Sequence, residues 1–389
     1  MDFALTDDQE RMRASIARLV EREVRPVLAA HPRDRALPKA EMVKLFERIA
    51  DYGLLCPRLP EAEGGPGISM LDYGIMFEQI PPTVSMSMLS QDSCITRLNA
   101  ECTPEQKARF LPDLVAGRKL ACTGSTEPDT GSDPRGIKTR LTRKDDKAVL
   151  NGRKMWITNV SACDLILVTC IDEGRSKEGR PVIIKVVVER DKSPFEAHEI
   201  DAIGLNQGYL GEAVFDDCVV PTENIVEADS GTRLLNRSWY VNRCMVGLQA
   251  VHLAERAYLA ALDYARVRRQ FGKPIAAHQL VQKNFSDMVT AITASRMLCY
   301  RALWMMDAGE EAGGASAMAK RFAQMNCTEA VWQAMNVLGA MGLSREAGLE
   351  EMYRDIRMLP IPDGTNEVLA LIHARELTGF EAFRGTAGA

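Results

Sequence analysis

The hydrophobic period of this chain changes twice, and that change limits its fold more than any other feature. Up to about residue 120, apolar residues recur every three to four positions, as on the buried face of an amphipathic helix. From about Leu120 to residue 230 they form short β-branched runs such as LILVTC and VIIKVVV, which are typical of buried strands. After about Gly231 the helical period returns. The order predicts a mainly α protein with a central β domain, divided at residues 1–120, 121–230 and 231–389.

Local signals sharpen this division. Thr6 and Gln9 have capping-box spacing at the start of the first helical pattern, and Pro26 is expected to end it. Asn151-Gly152 lies between two apolar runs, which predicts a β-hairpin there. A single long helix is predicted after Gly231, ending in a basic turn followed by Gly272 and Pro274, and two or three further helices are predicted beyond it.

The composition excludes several classes of protein. With a formal net charge of −5 and no basic cluster, the chain gives little reason to expect nucleic acid. No apolar run approaches the roughly 20 residues that span a bilayer, and the acidic N-terminus lacks a signal-peptide pattern, so we expect a cytoplasmic protein without a membrane partner. The ten cysteines form no C-x-x-C pair and no H-E-x-x-H occurs, which favours buried reduced thiols and no metal site.

Two stretches have the composition of a ligand site. TGSTEPDTGSDPRGIKT, residues 123–139, alternates glycine with hydroxyls and carboxylates at the change from helices to strands. It is either a solvated interdomain loop or a loop that a polar ligand approaches closely. KMWITN, residues 154–159, places Trp156 beside a strand end, where it is either core or the wall of a pocket for a flat aromatic cofactor.

Together with RRQFGKPIAAHQ, NVLGAMG and YRDIRMLPIPDGTNEV, these stretches resemble the acyl-CoA dehydrogenase family in the same order and at the same spacings. The resemblance covers essentially the whole chain. It implies an N-terminal α-helical domain, a middle β-barrel or sandwich domain and a C-terminal four-helix bundle. It also implies FAD as the cofactor, acyl-CoA as the substrate and an electron-transfer flavoprotein as the electron acceptor.

The resemblance also implies site residues. Arg268, Phe271 and Gln279 match an element that reaches the flavin of a neighbouring subunit, which implies a homo-oligomer, usually a tetramer built as a dimer of dimers. Ser132, Arg243 and Gly364 match positions near the substrate. The implied FAD-binding residues are Ser125, Thr126, Trp156, Thr158, Arg268, Phe271, Gln279, Asn336, Gly339, Thr365 and Glu367.

The reaction implied by the resemblance needs a carboxylate that removes the α-proton while the β-hydride passes to flavin N5. Relatives usually place Glu in a Y-E-G-T context, whereas this chain has Asp363 after Pro362. A second subgroup places its Glu on the long helix before an Arg, and here that position is Asn242 before Arg243. Pro-Asp-Gly alone indicates only a turn, but in this context we predict that Asp363 is the catalytic base.

Asp92 is a second candidate for the base, because it falls in the N-terminal region that lines the acyl pocket of relatives. A surface or helix-cap aspartate is the simpler interpretation of this residue. The leading hypothesis is α,β-dehydrogenation of a branched, cyclic or otherwise non-straight-chain acyl-CoA. The alternatives are a flavin oxidase resembling nitroalkane oxidase, with Asp363 as base, and a degenerate FAD- or acyl-CoA-binding protein.

Overall fold

This computed structural model describes residues 3–133, 136–177, 181–227, 231–380 and 382. Helices occupy the N-terminal part, strands the middle and helices again the C-terminal part, so the predicted fold class is confirmed. The N-terminal helices are α1 (Asp7–Leu19), α2 (Arg25–Ala30), α3 (Lys39–Ala50), α4 (Met70–Phe77), α5 (Pro82–Glu101) and α6 (Pro104–Val115).

The first helix begins as predicted but does not stop at Pro26. Thr6 and Gln9 form the capping box, each side chain bonding the other's backbone N–H. A π-helical turn, Val20–Val24, follows α1, and Pro26 lies in the first turn of α2, which continues to Ala30. The prediction was wrong because backbone N–H groups in the first turn of a helix have no acceptor within the helix. Proline, which lacks this N–H, is therefore tolerated there.

The middle of the chain is one mixed sheet. Its strands are β1 (Ala121–Gly124), β2 (Arg140–Lys144), β3 (Lys147–Thr158), β4 (Leu165–Asp172), β5 (Ile183–Glu189), β6 (Glu196–Glu199), β7 (Leu210–Pro221) and β8 (Ile225–Val226). They follow the order β6-β7-β3-β2-β4-β5-β8, and β1 also pairs with β4. Both β1 and β2 run parallel to β4, β1 beside its first half and β2 beside its end. The segment between them therefore leaves the sheet and returns to it.

The hairpin predicted at Asn151-Gly152 lies elsewhere. Strand β3 runs straight through both residues, and the chain reverses at Asp145, whose φ is +50°. Asn151-Gly152 instead forms an irregularity in the pairing of β3 with β7, with Gly152 at φ +147°. A Cβ on Gly152 would lie 2.5 Å from the Thr139 hydroxyl oxygen, so close packing explains the glycine.

The described C-terminal part consists of three long helices followed by two short ones. They are α7 (Gly231–Val267), α8 (Gln279–Asp307), α9 (Gly313–Leu338), α10 (Leu349–Met358) and α11 (Asn366–Thr378). The single long helix is confirmed, and four helices follow it among the described residues, one more than the upper prediction. A two-stranded ribbon, β9 (Arg269–Gln270) with β10 (Lys273–Pro274), turns the chain from α7 into α8.

The two helical parts share a hydrophobic core. Ile16 and Phe46 from the N-terminal helices belong to the same buried cluster as Leu248 and Ala323 from the C-terminal helices, whereas the sheet has a core of its own. Polar contacts cross between the helical parts, as where buried Glu78 accepts from Tyr300 Oη at 2.7 Å. All ten cysteines are free and buried, which confirms their interpretation as reduced core thiols.

No helix of the described residues is long and apolar enough to cross a membrane. The same residues contain no group of three or more His, Cys, Asp and Glu side chains arranged to hold a metal ion.

Candidate active site

The two positions considered for the catalytic base meet in space. Asp363 lies in the loop between α10 and α11, half-buried, in the left-handed conformation with φ +54°. Asn242, buried on α7, places its amide nitrogen 3.4 Å from Asp363 Oδ1. Its neighbour Arg243 donates through Nε to the Asp363 carbonyl at 3.4 Å. Asp363 is therefore held against α7 through both its side chain and its backbone.

A buried amine fixes the same loop from the other side. Lys320 of α9 is fully buried, and its Nζ donates to the carbonyls of Pro362 and of Gly364, the latter at 2.6 Å. Burial lowers the pKa of Lys320 to about 8, against the opposing effect of the nearby Asp363 carboxylate. Bonds to both flanking carbonyls stabilise a backbone conformation that L residues adopt only at a cost.

A chain of polar contacts leads from Asp363 into the N-terminal helices. The Asn242 amide lies 3.2 Å from Ser93 Oγ of α5, and the same oxygen accepts from Arg58 Nη2 at 3.3 Å. Arg58 Nη2 in turn lies 2.6 Å from Asp92 Oδ2, in a pair whose side chains are 7% and 0% exposed. The candidate base is thus connected to a buried ion pair.

This placement corrects the simpler interpretation of Asp92. Asp92 lies inside α5 and is fully buried, so it is neither a surface residue nor a cap. Burial raises the pKa of Asp92, while Arg58 acts in the opposite direction. The sequence around Asp92 looked like an ordinary helix segment because its partner lies 34 positions away in a loop.

The two glycine- and tryptophan-containing stretches lie side by side. The backbone N–H of Met155 donates to the Thr126 carbonyl at 2.9 Å, which joins the loop after β1 to the end of β3. The pairing of β3 with β7 is interrupted between Lys154 and Ile157, and Trp156 leaves the ladder with φ +59°. The indole is 55% exposed. The bulge therefore holds a flat aromatic side chain out of the sheet.

Glu127 anchors the loop beside this tryptophan. Its carboxylate accepts from the backbone N–H of Thr139 at 2.9 Å and from the buried Lys154 amine at 2.8 Å. Although burial alone would raise it, hydrogen bonds from Lys154 and Thr139 hold the pKa of Glu127 below its ordinary value. The ionised Glu127 carboxylate therefore has its acceptors occupied by hydrogen bonds inside the loop. It stabilises the loop and does not contribute to its exposed face.

The exposed face suits the edge of a flat heteroaromatic cofactor. Thr126 and Thr158 are half-buried on either side of Trp156, and within the described residues neither side-chain hydroxyl has a hydrogen-bond partner. Ser125 Oγ lies 3.2 Å from Thr169 Oγ1, and Ser132 is exposed further along the loop. Hydroxyls at the rim of an aromatic wall fit a ring system with polar edges, as the isoalloxazine of FAD has.

Other predicted residues lie at helix ends. Thr365 caps α11, accepting from the Val368 N–H at 3.4 Å, and Glu367 is exposed in the first turn of that helix. Asn336 is exposed near the end of α9, where Gly339 follows with φ +61°. A cap role accounts for Thr365 on its own, and Glu367 in a first turn complements the helix dipole.

Three predicted residues are separated from the rest. Arg268, Phe271 and Gln279 are exposed where α7 turns into α8, and Phe271 is 93% exposed. Arg268 lies 26 positions after Asn242, which corresponds to about 40 Å along a helix. Within one chain, Arg268 therefore lies far from Asp363, which contacts Asn242.

Sequence reasoning missed Lys320, Ser93 and Arg58. Lys320 carried a usable signal, because it interrupts a run of small apolar residues, GGASAMAKRFA, whose helical period predicts burial on its face. Ser93 and Arg58 had no such signal, because both are ordinary in their local sequence. Only tertiary packing around α5 brings their side chains to this site.

Comparisons with known proteins agree with this geometry. Three family profiles match, namely acyl-CoA dehydrogenase N-terminal domain over residues 6–118, middle domain over 122–218 and C-terminal domain over 229–378. A probable acyl-CoA dehydrogenase, YngJ of Bacillus subtilis, is 30% identical over 97% of this chain and 100% of its own. Benzylmalonyl-CoA dehydrogenase of Aromatoleum aromaticum is also 30% identical, over 97% of this chain and 100% of its own.

Among solved structures, glutaryl-CoA dehydrogenase from Mycobacterium smegmatis superposes with a TM-score of 0.87 at 28% identity, covering 98% of this chain and 97% of that one. The chain belongs to the acyl-CoA dehydrogenase family. It is accordingly an FAD-dependent oxidoreductase that acts on acyl-CoA.

Proposed function

We propose that this protein dehydrogenates an acyl-CoA thioester between Cα and Cβ, with Asp363 as the base that removes the α-proton. The observation that supports this most is the meeting of Asp363 with Asn242 on α7. Positions 242 and 363, which carry the base in different subgroups of relatives, are in contact here, and Asp363 is the carboxylate of the two.

The surrounding residues hold this carboxylate in place. Asn242 donates to Asp363 Oδ1, so it orients the carboxylate and leaves the second oxygen for substrate. Arg243 and Lys320 bind the carbonyls of the loop, which is what a short side chain requires if it is to come within about 2.6–3.2 Å of the proton it accepts. FAD, when bound, supplies the acceptor for the β-hydride. Ser125, Thr126, Trp156 and Thr158 are the residues we assign to its ring, and Asn336, Gly339, Thr365 and Glu367 to the rest of it.

Asp92 remains the second candidate for the base and is weaker on two grounds. Its charge is already balanced by Arg58, and both side chains are buried together. Removing its charge by proton uptake would leave Arg58 buried without a counter-ion, which is costly. We therefore assign the proton transfer to Asp363.

Two further parts of the proposal concern partners. Because Arg268, Phe271 and Gln279 are exposed about 40 Å from Asn242, we assign them to the flavin of a neighbouring subunit in a homo-oligomer, a dimer of dimers. Ser132 and Gly364 we assign to the CoA side of the substrate. An electron-transfer flavoprotein is the acceptor that would reoxidise the reduced enzyme.

The test is anaerobic titration of the purified flavoprotein with straight, branched, cyclic and aromatic acyl-CoA thioesters. Bleaching of the flavin band by at least one thioester is the expected result. Rapid oxygen consumption with nitroethane, and none with thioesters, would instead establish a nitroalkane-oxidising enzyme. A flavin that no thioester or nitroalkane bleaches would indicate the degenerate binding protein.

A further inference from the structure

Within the described residues, two buried polar atoms at the Arg58–Asp92 pair take part in neither a hydrogen bond nor an ion pair. The hydroxyl of Tyr73 on α4 is one of them, and Tyr73 is fully buried. The other is Nε of Arg58. Buried polar groups in folded proteins are nearly always hydrogen-bonded, and each exception calls for an explanation such as a bound ligand group. Two exceptions in one cluster are difficult to attribute to packing alone.

The phenol and the ion pair act on one another. Burial raises the pKa of Tyr73, and the Asp92 carboxylate raises it further, while Arg58 lowers it. Arg58 also donates through Nη1 to Ser238 Oγ at 2.9 Å, so the guanidinium is held by α7 on one side and by Asp92 on the other. Of the N–H groups of Arg58, only Nε–H has no partner in the described part of the chain.

This cluster lies within reach of the proposed reaction centre. Ser93 and Asn242 connect Arg58 Nη2 to Asp363 Oδ1 through contacts of 3.3, 3.2 and 3.4 Å, so the two ends are at most about 10 Å apart. An acyl group whose Cα lies at Asp363 extends over that distance when it is of medium length.

We propose that Tyr73, Arg58 and Asp92 form a subsite for a neutral oxygen function, a hydroxyl or keto group, on the distal part of the acyl chain. The inference rests on the proposed acyl-CoA dehydrogenase function. Nε–H of Arg58 donates to this oxygen, and the Tyr73 hydroxyl either donates to it or accepts from it. An alkyl end would leave both groups unsatisfied, which disfavours it.

Charge disfavours the other polar end groups at this point. Arg58 is already neutralised by Asp92, so a carboxylate beside Asp92 would add a second negative charge to a buried pair. Arg97 of α5 is a further cation close to Arg58 and Asp363, which is why the carboxy thioesters are compared directly. An ammonium group would likewise be buried beside Arg58 without a free counter-ion. A neutral oxygen function meets the unused donor without changing the net charge.

The experiment compares butyryl-, hexanoyl- and octanoyl-CoA with their ω-hydroxy and ω-carboxy counterparts on the FAD-loaded enzyme. Binding is read from the perturbation of the flavin absorption band, and flavin reduction is measured separately under anaerobic conditions. At one of these lengths we expect the hydroxy thioester to bind about 30-fold more tightly than both the alkyl and the carboxy thioester. Equal or tighter binding of the alkyl thioester at every length would overturn the subsite.

Two tyrosine variants separate a ligand-binding hydroxyl from a structural one. Tyr73→Phe should retain its melting temperature and FAD content, and should lose most of the preference for the hydroxy thioester while binding the alkyl thioester as before. Tyr300→Phe is the matched control, since the Tyr300 hydroxyl already bonds Glu78 at 2.7 Å. That variant should melt earlier and keep the preference. A Tyr73→Phe variant that melts as early as Tyr300→Phe, with the preference intact, would show a structural hydroxyl and contradict the proposal.

A third variant tests the ion pair. Arg58→Met with Asp92→Leu replaces the pair by apolar side chains, a change that buried ion pairs often tolerate. We expect the preference to reverse in favour of the alkyl thioester. If no thioester reduces the flavin of the wild-type enzyme, the proposed dehydrogenation fails, and the binding measurements still decide the subsite.

Discussion

The two ends of α7 carry site residues of opposite character. Near its first third, Asn242 and Arg243 are 6% and 5% exposed, and each contacts the Asp363 loop. Just beyond its other end, Arg268 and Phe271 are exposed, and within the described residues the Arg268 side chain makes no hydrogen bond or ion pair. One helix thus bears a set of residues fixed by its own chain and a second set that its own chain leaves exposed.

Exposure of a site residue in this chain depends on whether its partners belong to the same chain. The buried set, to which we assign the proton transfer, has its partners on α5, α9 and the loop before α11. The exposed set combines a guanidinium with a large aromatic ring, which is typical of a surface that another chain or a nucleotide covers. Each of the following predictions tests one half of this contrast.

The largest effect is expected at the buried end. Asp363→Asn should slow flavin reduction by an acyl-CoA by about a thousandfold, because a general base contributes roughly 10²–10⁴. Asparagine tolerates the same left-handed backbone, so FAD should stay bound. Stopped-flow absorbance measures the rate. Asp355→Asn, which alters another half-buried carboxylate, on α10, serves as the control and should react normally. Unchanged reduction in Asp363→Asn would remove Asp363 from the mechanism.

The role of the exposed residues is tested by weakening FAD binding in one variant and by restoring activity in mixed oligomers. Arg268→Ala should weaken FAD binding by about 30-fold, the worth of a charge-assisted hydrogen bond, whereas Arg266→Ala in the same basic turn should not. Mixed oligomers of Arg268→Ala and Asp363→Asn subunits should regain activity, since an intact site then combines Asp363 of one subunit with Arg268 of the other. Failure of every mixture to regain activity would mean that Arg268 does not act across the subunit boundary, and an Arg268→Ala enzyme that keeps its FAD and activity would mean that it has no role.

Within the described residues, Lys320 bonds only the backbone beside Asp363, and we nevertheless expect it to affect the rate of flavin reduction. Lys320→Met removes the donor to the carbonyls on both sides of Asp363, so flavin reduction should slow about tenfold and the loop should lose its fixed conformation. Gln324→Met, one turn further along α9, removes a bond to the Val246 carbonyl and is the control. Both variants should melt earlier, and only Lys320→Met should react more slowly. Equal rates in the two variants would reduce Lys320 to a packing residue.

The smallest effect is a pH dependence of stability. The folded pKa of Lys320 is about 8, below its ordinary value of 10.5, so between these values the unfolded chain binds more protons. The contribution of Lys320 to the free energy of unfolding therefore rises with pH, by about 1 kcal/mol between about pH 8 and 9. Urea unfolding at both pH values should show this gain in the wild type and in Gln324→Met. A gain that persists in Lys320→Met would assign it to another group.

The sequence was sufficient where local pattern and family order agree. The three-part fold followed from the hydrophobic period and is confirmed. The assignment of Asp363 as base rests on its place in a motif and not on Pro-Asp-Gly itself, and it stays a prediction. Asn151-Gly152 misled because the preference of this pair for a turn is a local property, whereas pairing with β7 carries β3 through it. Asp92 was misjudged for the same reason, since only the approach of the Arg58 loop to α5 explains its burial.

The left-handed backbone of Asp363 has a consequence for the history and engineering of this enzyme. At φ +54° the residue types that stand there with little strain are few, chiefly glycine, asparagine and aspartate, and aspartate is the acid among them. In the proposed mechanism, the main-chain conformation therefore restricts which acidic residue can act as the base at this position. Substituting glutamate would therefore demand a rebuilt loop as well as a longer side chain.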